Sequence, residues 1–313
     1  MLANNNKMII NKLAKNSVKS NKKQYGILFF TIVLSAFMLF CVFTIGLTYL
    51  DSSRLQNTRL NGAEYDITTM NGFTSKQVKS LQSNKNIQNV GMESYAGFIK
   101  SSEFDNTVEI GLLWCDETFW NNLMSPARTK LDGHYPQNKN ELMVTKDILK
   151  ACGNENLSVG DSIVLTYENN TGVHTDKFVI SGIWDGYGDK SAGFVSKNFY
   201  DETGYDLKND GILCIKLNRN YVLPTTIQSL EKLLNFSDRQ IFAPTDYIEN
   251  SFKLLLGICG LALVICLSAY LLIYNILYLS ISGKIRYYGL LQSLGMTKKQ
   301  LVRFITKQML FIA

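Results

Sequence analysis

Residues 26–50 and 254–281 carry no charge, which makes uninterrupted apolar runs of 25 and 28 positions. At about 1.5 Å rise per residue, each exceeds the ~20 residues needed to cross a hydrocarbon core of about 30 Å. One charge at mid-bilayer costs roughly 3 kcal/mol, so two such runs predict transmembrane helices at 26–50 and 251–281. A soluble core helix of this length would show a polar face. The first run is too long for the h-region of a signal peptide, and residues 44–48 offer no small-x-small cleavage site, so it reads as an uncleaved anchor. Residues 309–313, MLFIA, begin another apolar run, and 308–313 reads as the start of a third span.

The flanks have helical rather than continuous patterning. Over residues 1–25, Ile9, Ile10, Leu13, Ala14 and Val18 oppose Lys12, Lys15, Lys19, Lys22 and Lys23, predicting a basic amphipathic helix that lies on the inner membrane surface. Thr245 is placed to cap a helix that runs without a breaker to Ser282-Gly283, so the second span is expected to continue from a stalk beginning near residue 245. After it, Ile285, Leu290, Leu291 and Leu294 have helical spacing, and Gly295 is placed to end that helix in the left-handed region. Thr297 with Gln300 reads as a capping box, and Met296 with Leu301 as the accompanying hydrophobic staple.

The intervening 51–250 alternates strand and helix signals. Residues 64–69, 87–100 and 107–114 are rich in β-formers, and Thr74 with Gln77 forms another capping box before a helix. Asn169-Asn170-Thr171-Gly172 separates two strand-like runs, 162–167 and 173–183, as a hairpin turn would. A further helix ends over 230–236. Two hundred residues suffice for a core of their own, so the fold class expected is membrane α-helical with an α+β extracytoplasmic domain.

Charge then orients the chain. All 26 Asp and Glu lie between residues 51 and 249, whereas residues 1–25 hold six Lys and 282–307 six Lys or Arg, with no acid. The positive-inside rule places the N-terminus and 282–307 in the cytoplasm and 51–250 outside a cell membrane, in a multi-pass arrangement. The overall charge of +6 is thus a matter of topology. No basic stripe interleaved with stacking aromatics supports nucleic-acid binding. Cys115, Cys152 and Cys214, an odd number outside, allow one disulfide at most. With two histidines and no closely paired cysteines, no metal site is expected. No catalytic constellation emerges from spacing. Ser282-Gly283-Lys284 lacks the upstream glycine of a P-loop, since position 278 is Tyr, so no nucleotide cofactor is expected on this chain.

The segment IRYYGLLQSLGMTKKQLVRF, residues 285–304, resembles the one that follows the second span in FtsX-like (MacB-type) ABC transporter permeases. There the pattern [ER]-x-x-G-[LI]-[LM]-[RKQ]-x-[LI]-G-[AM]-[ST]-x-x-Q-[LIV] marks the coupling helix that docks on the ATPase. The resemblance implies that role for Arg286, Tyr288, Gly289, Leu290, Leu291, Leu294, Gly295, Thr297 and Gln300. Within 51–250, LDGHYPQNKNELMVTKDIL, LSVGDSIVL and FVISGIW are similar to the family's extracytoplasmic core, with Gly133, Pro136, Glu141, Gly160, Asp161 and Gly182 at its structural positions. The resemblance further implies a cytoplasmic ABC ATPase partner carrying ATP and Mg, a second permease subunit or second permease half, and contact with membrane lipid. Members export or confer resistance to peptides and drugs, move lipoproteins, or signal. Family permeases have at least four spans, so the chain reads as an N-terminal portion. The rival reading is a two-span membrane sensor with an extracytoplasmic ligand-binding domain, which predicts an output domain after span two.

Overall fold

The computed structural model describes residues 7–100, 110–187, 192–220 and 222–310. The start of the expected β-run at 107–114, and residues 311–313 of the expected third span, lie outside the described residues. The chain divides into two units, one comprising residues 1–49 and 255–313, the other 50–254.

The first unit is helical. Helix α1 (Lys7–Ser20) is followed after Asn21 by α2 (Lys22–Asn61), which passes residue 50 without a break and ends just before Gly62. Extending the helix past the apolar run costs little, because residues 51–61 contain neither Gly nor Pro. Helices α2 and α7 (Asp246–Ser282) are each long and apolar enough to cross a membrane, with mean hydropathy 2.6 over their best windows. Those windows are only 6% and 11% buried, which argues against soluble core helices, whose apolar sides would be covered. The two helices touch where α2 is narrow. A Cβ at Gly46 would stand 2.6 Å from Ile258 Cδ1. Tyr25 and Leu28 pack with Ile273, Ile276 and Leu277 nearby. The expected helix start at residue 245 falls within one position of the observed one, but the Thr245 hydroxyl finds no hydrogen-bond partner, so the side-chain cap is not made.

Helices α8 (Ile285–Ser293) and α9 (Lys298–Leu310) complete this unit. Ile10 and Ala14 of α1 are buried against Tyr288 of α8 and Phe304 of α9. Part of the apolar stripe expected to rest on a membrane surface is therefore covered by the protein itself, although Met8 and Ile9 stay exposed.

The second unit is α+β. In chain order its elements are β1 (Ile67–Met70), α3 (Ser75–Gln82), β2 (Ile87–Lys100), β3 (Ile110–Cys115), β4 (Arg128–Gly133) and β5 (Glu141–Thr145). There follow α4 (Lys146–Ala151), β6 (Ser162–Asn169), β7 (Gly172–Gly186), β8 (Ala192–Val195), α5 (Lys197–Tyr200), β9 (Ile212–Leu217), α6 (Pro224–Leu234) and β10 (Ile241–Pro244). The ten strands make one sheet in the order β10-β1-β9-β2-β3-β8-β5-β7-β4, with β6 pairing β2 and β7. Most pairs are antiparallel; β3/β8 and β5/β7 are parallel. The Thr74–Gln77 capping box forms reciprocally, Thr74 N–H donating to Gln77 Oε1 and Gln77 N–H to Thr74 Oγ1. The β6–β7 hairpin turns where Asn169–Gly172 predicts it, Asn169 Oδ1 accepting from Thr171 N–H at 2.9 Å.

Three apolar clusters hold the sheet. One gathers Leu112, Leu142, Phe178, Ile180 and Tyr200 under α4 and α5. A second packs β1 and β9 against α3, α6 and the first turn of α7, through Ile67, Leu81, Ile215, Leu230 and Ile248. A third is aromatic, with Phe119, Trp120, Trp184 and Phe194.

Candidate functional site

Local chemistry builds the segment after α7 as two short helices joined by a tight corner. Gly295 adopts φ 100°, a region that favours glycine. Its N–H donates to Gln292 O at 2.9 Å, and Met296 N–H donates to Leu291 O at 3.0 Å. These two bonds form a Schellman motif and satisfy carbonyls that the end of α8 would leave open. At the next residue Thr297 N–H donates to Gln300 Oε1 at 2.9 Å, and Gln300 N–H to Thr297 Oγ1 at 3.3 Å, closing the second capping box. The corner thus has almost no slack, and the direction of α8 relative to α9 is set by backbone hydrogen bonds.

The nine residues implied as the coupling site separate into three groups. Tyr288 is 7% exposed and, with the half-buried Leu291, joins the Ile10–Ala14–Phe304 cluster. Leu290 at 60% and Leu294 at 76% are bare, as is Ile285 at 64%. Arg286, one turn before Leu290, shares its side, whereas Ile285 and Gly289 are exposed on another side of the helix. Gly295, Thr297 and Gln300 make the corner. Successive helix residues sit about 100° apart, so adjacent Leu290 and Leu291 cannot share one face. Helix α8 is therefore held by its back and presents an apolar front flanked by Arg286, Lys298 and Lys299, none of them in an ion pair among the described residues. The surface carries no acid, thiol or imidazole, and its exposed side chains are apolar and basic.

The six extracytoplasmic motif residues collect along β7. Gly133 pairs Gly182 in the β4/β7 ladder, and Gly182 pairs Met143 of β5. Gly160 N–H donates to Ile180 O, and the Asp161 carboxylate accepts from Ser158 N–H at 2.8 Å. Pro136 lies in the β4–β5 connection, and Glu141 opens β5, where it pairs Val179 of β7. Burial alone would raise the Glu141 pKa, but N–H groups of Gln137 and Asn138 and the Asn138 amide outweigh it and hold the carboxyl below its ordinary range.

Sequence reasoning missed a charge cluster in this unit. Lys216, in the otherwise apolar strand ILCIKL, is 5% exposed and places Nζ 3.3 Å from both Glu64 Oε1 and Asp66 Oδ2. Asp66 Oδ2 also accepts from Leu217 N–H at 2.8 Å, while Arg54 of α2 reaches Glu64 at 3.5 Å. A lone Lys in a strand of that composition was the available signal, since such a side chain is buried only with a partner. None of the six cysteines is in a disulfide. Burial pushes the Cys115 and Cys214 thiols well up, so neither offers a thiolate. Among the described residues no group of His, Cys, Asp or Glu could hold a metal ion.

No family model matches the chain, and no curated protein matches it. Solved structures similar to it include the following three. The periplasmic region of MacB from Actinobacillus actinomycetemcomitans is 12% identical, with TM-score 0.41, covering 62% of this chain and 95% of that one. The extracellular domain of the noncanonic ABC-type transporter YknZ from Gram-positive bacteria is 11% identical, with TM-score 0.38, covering 58% and 99%. A domain of a putative permease protein from Porphyromonas gingivalis is 11% identical, with TM-score 0.36, covering 62% and 95%. Identities this low carry no residue role or activity across to the chain.

Proposed function

We propose that the chain is a permease subunit of an ABC transporter complex, with α8 as the element that docks on a cytoplasmic ATPase. The observation that carries this is the division of α8, whose back is fixed by Tyr288 and Leu291 while Leu290 and Leu294 stand bare on the side away from it. A short helix with an apolar front and basic ends is suited to a groove on another protein. Its site between a long apolar helix and the basic start of α9 follows from the same lopsided charge that assigns it to the cytoplasm and residues 51–250 to the outside. ATP and Mg are assigned to the partner; this chain receives displacement at α8. Helix α7 is unbroken from Asp246 to Ser282, so motion at one end is passed along a single hydrogen-bonded rod. A second permease subunit or half, and lipid, cover the bare sides of α2 and α7. Export, resistance, lipoprotein movement and signalling remain equal in this reading.

The test is co-purification of the chain with an ABC ATPase from its native membranes. Leu290→Asp with Leu294→Asp removes two side chains worth about 1.5–3 kcal/mol each on burial, so the pair is expected to weaken the complex by at least about a hundredfold. Val164→Asp, on an exposed hairpin face, is expected to leave it unchanged. Retention of the complex by the double variant overturns the coupling role, and a wild-type chain that captures no ATPase favours the sensor.

A further inference from the structure

The second unit contains a cleft of about 470 Å³ that the permease reading does not use. Three connections build it: residues 71–74 ahead of α3, the turn at 206–211, and residues 235–240 between α6 and β10. They are bonded to one another. Gly72 N–H donates to Gly211 O at 2.9 Å, Gln240 Nε2 to Gly72 O at 2.7 Å, and Asn71 Nδ2 to Arg239 O at 2.8 Å. Below them Gln77, 7% exposed, donates through Nε2 to Leu234 O at 3.0 Å. The walls are thus held at fixed spacing before anything binds.

Charge is the unusual feature. Lys76, Lys208 and Arg239 line this cleft and no carboxylate does, although residues 51–250 carry seven more acids than bases. None of the three cations is in an ion pair among the described residues. Of the nearby acids, Asp206 accepts from the Asn209 amide and N–H and also feels the Lys208 charge, Asp210 accepts from Asp206 N–H, and Asp238 precedes Arg239 without lining the cleft. Lys76 moreover sits in the first turn of α3, where no acid offsets the positive helix end. A cation there is disfavoured by the macrodipole. Three cations and a positive helix end thus share the lining of one cleft, with only Asp206 offsetting Lys208 from outside it.

We infer that this cleft binds a small multivalent oxyanion, held by Lys76, Lys208 and Arg239. Its volume lies in the range of small-molecule sites, and the amide-rich lining of Asn209, Asn235 and Gln240 supplies further polar contacts. Phosphate and carboxylate groups share the chemistry that these cations recognise, and two probes distinguish them.

The chain of residues 1–313 in lipid nanodiscs is titrated calorimetrically with sodium pyrophosphate and, separately, with citrate. One-to-one binding of pyrophosphate alone assigns a phosphate ligand, and of citrate alone a carboxylate ligand; binding of both supports the site for either. Lys76→Gln, Lys208→Gln and Arg239→Gln are each expected to weaken binding by about tenfold, the usual loss of one charge-assisted hydrogen bond. All three side chains are exposed, so thermal unfolding of the variants should match wild type. Lys146→Gln with Lys150→Gln, exposed elsewhere in the same unit, is expected to leave affinity unchanged. The site is refuted if neither probe binds, if the cleft variants bind as wild type does, or if the control pair loses as much.

Discussion

Lys216→Ala is expected to destabilise the sheet unit by about 3–5 kcal/mol, the usual cost of removing one partner from a buried ion cluster. The Lys216 ammonium lies between Glu64 and Asp66, and the Asp66 side chain is 2% exposed. Without the cation two carboxylates face each other, one of them away from water. Burial already raises the Asp66 pKa above 3.8, against the opposing pull of Lys216 and of Leu217 N–H; losing Lys216 raises it further. A carboxyl whose folded pKa exceeds its unfolded one contributes stability that is complete below the unfolded value and lost as pH rises through the folded one. The variant should therefore recover stability as pH falls from 7 toward 3.8, and Asp66→Asn in the Lys216→Ala background should remove that recovery. Urea unfolding at several pH values checks both; a Lys216→Ala loss below about 1 kcal/mol at pH 7 would mean the cluster is effectively solvated.

Gly133→Ala is expected to cost about 2–5 kcal/mol, combining the left-handed penalty of about 1–2 with overpacking of about 1–3. Gly133 has φ 86°, and a Cβ there would stand 2.2 Å from Ser181 O. That carbonyl accepts from His134 N–H at 2.9 Å, so it cannot retreat without breaking the β4/β7 ladder at its Gly133–Gly182 pair. Chemical denaturation measures the loss, and near-neutral substitution would show that β4 yields freely at this edge.

What the sequence made legible was local. Thr74 with Gln77, Thr297 with Gln300, and Gly295 depend on residues three or fewer apart, and each behaves as its spacing predicts. The hairpin at Asn169–Gly172 is equally short-range. Features set by distant partners were not legible. Periodicity treats Leu290 and Leu291 as one apolar pair, and only the packing of α1 and α9 decides that Leu291 turns inward. The stripe on α1 suits a membrane surface as well as it suits Tyr288 and Phe304. Thr245 has a capping residue's identity and place, yet its hydroxyl makes no bond, while its N–H donates to Asp66 O at 2.9 Å. Lys216 meets Glu64 and Asp66 from far along the chain, and the parallel β3/β8 and β5/β7 pairs join strands that sequence order does not make neighbours. The cleft between residues 71–74, 206–211 and 235–240 likewise exists only once three separated loops meet.

The orientation of the chain in the membrane underlies the docking role of α8. Lys298→Cys and Lys146→Cys variants, each in a background without other accessible thiols, are exposed on intact cells to a membrane-impermeant thiol reagent. Lys298→Cys should react only after the membrane is opened, and Lys146→Cys without opening it. Labelling of Lys298→Cys from outside intact cells would contradict the account at its root.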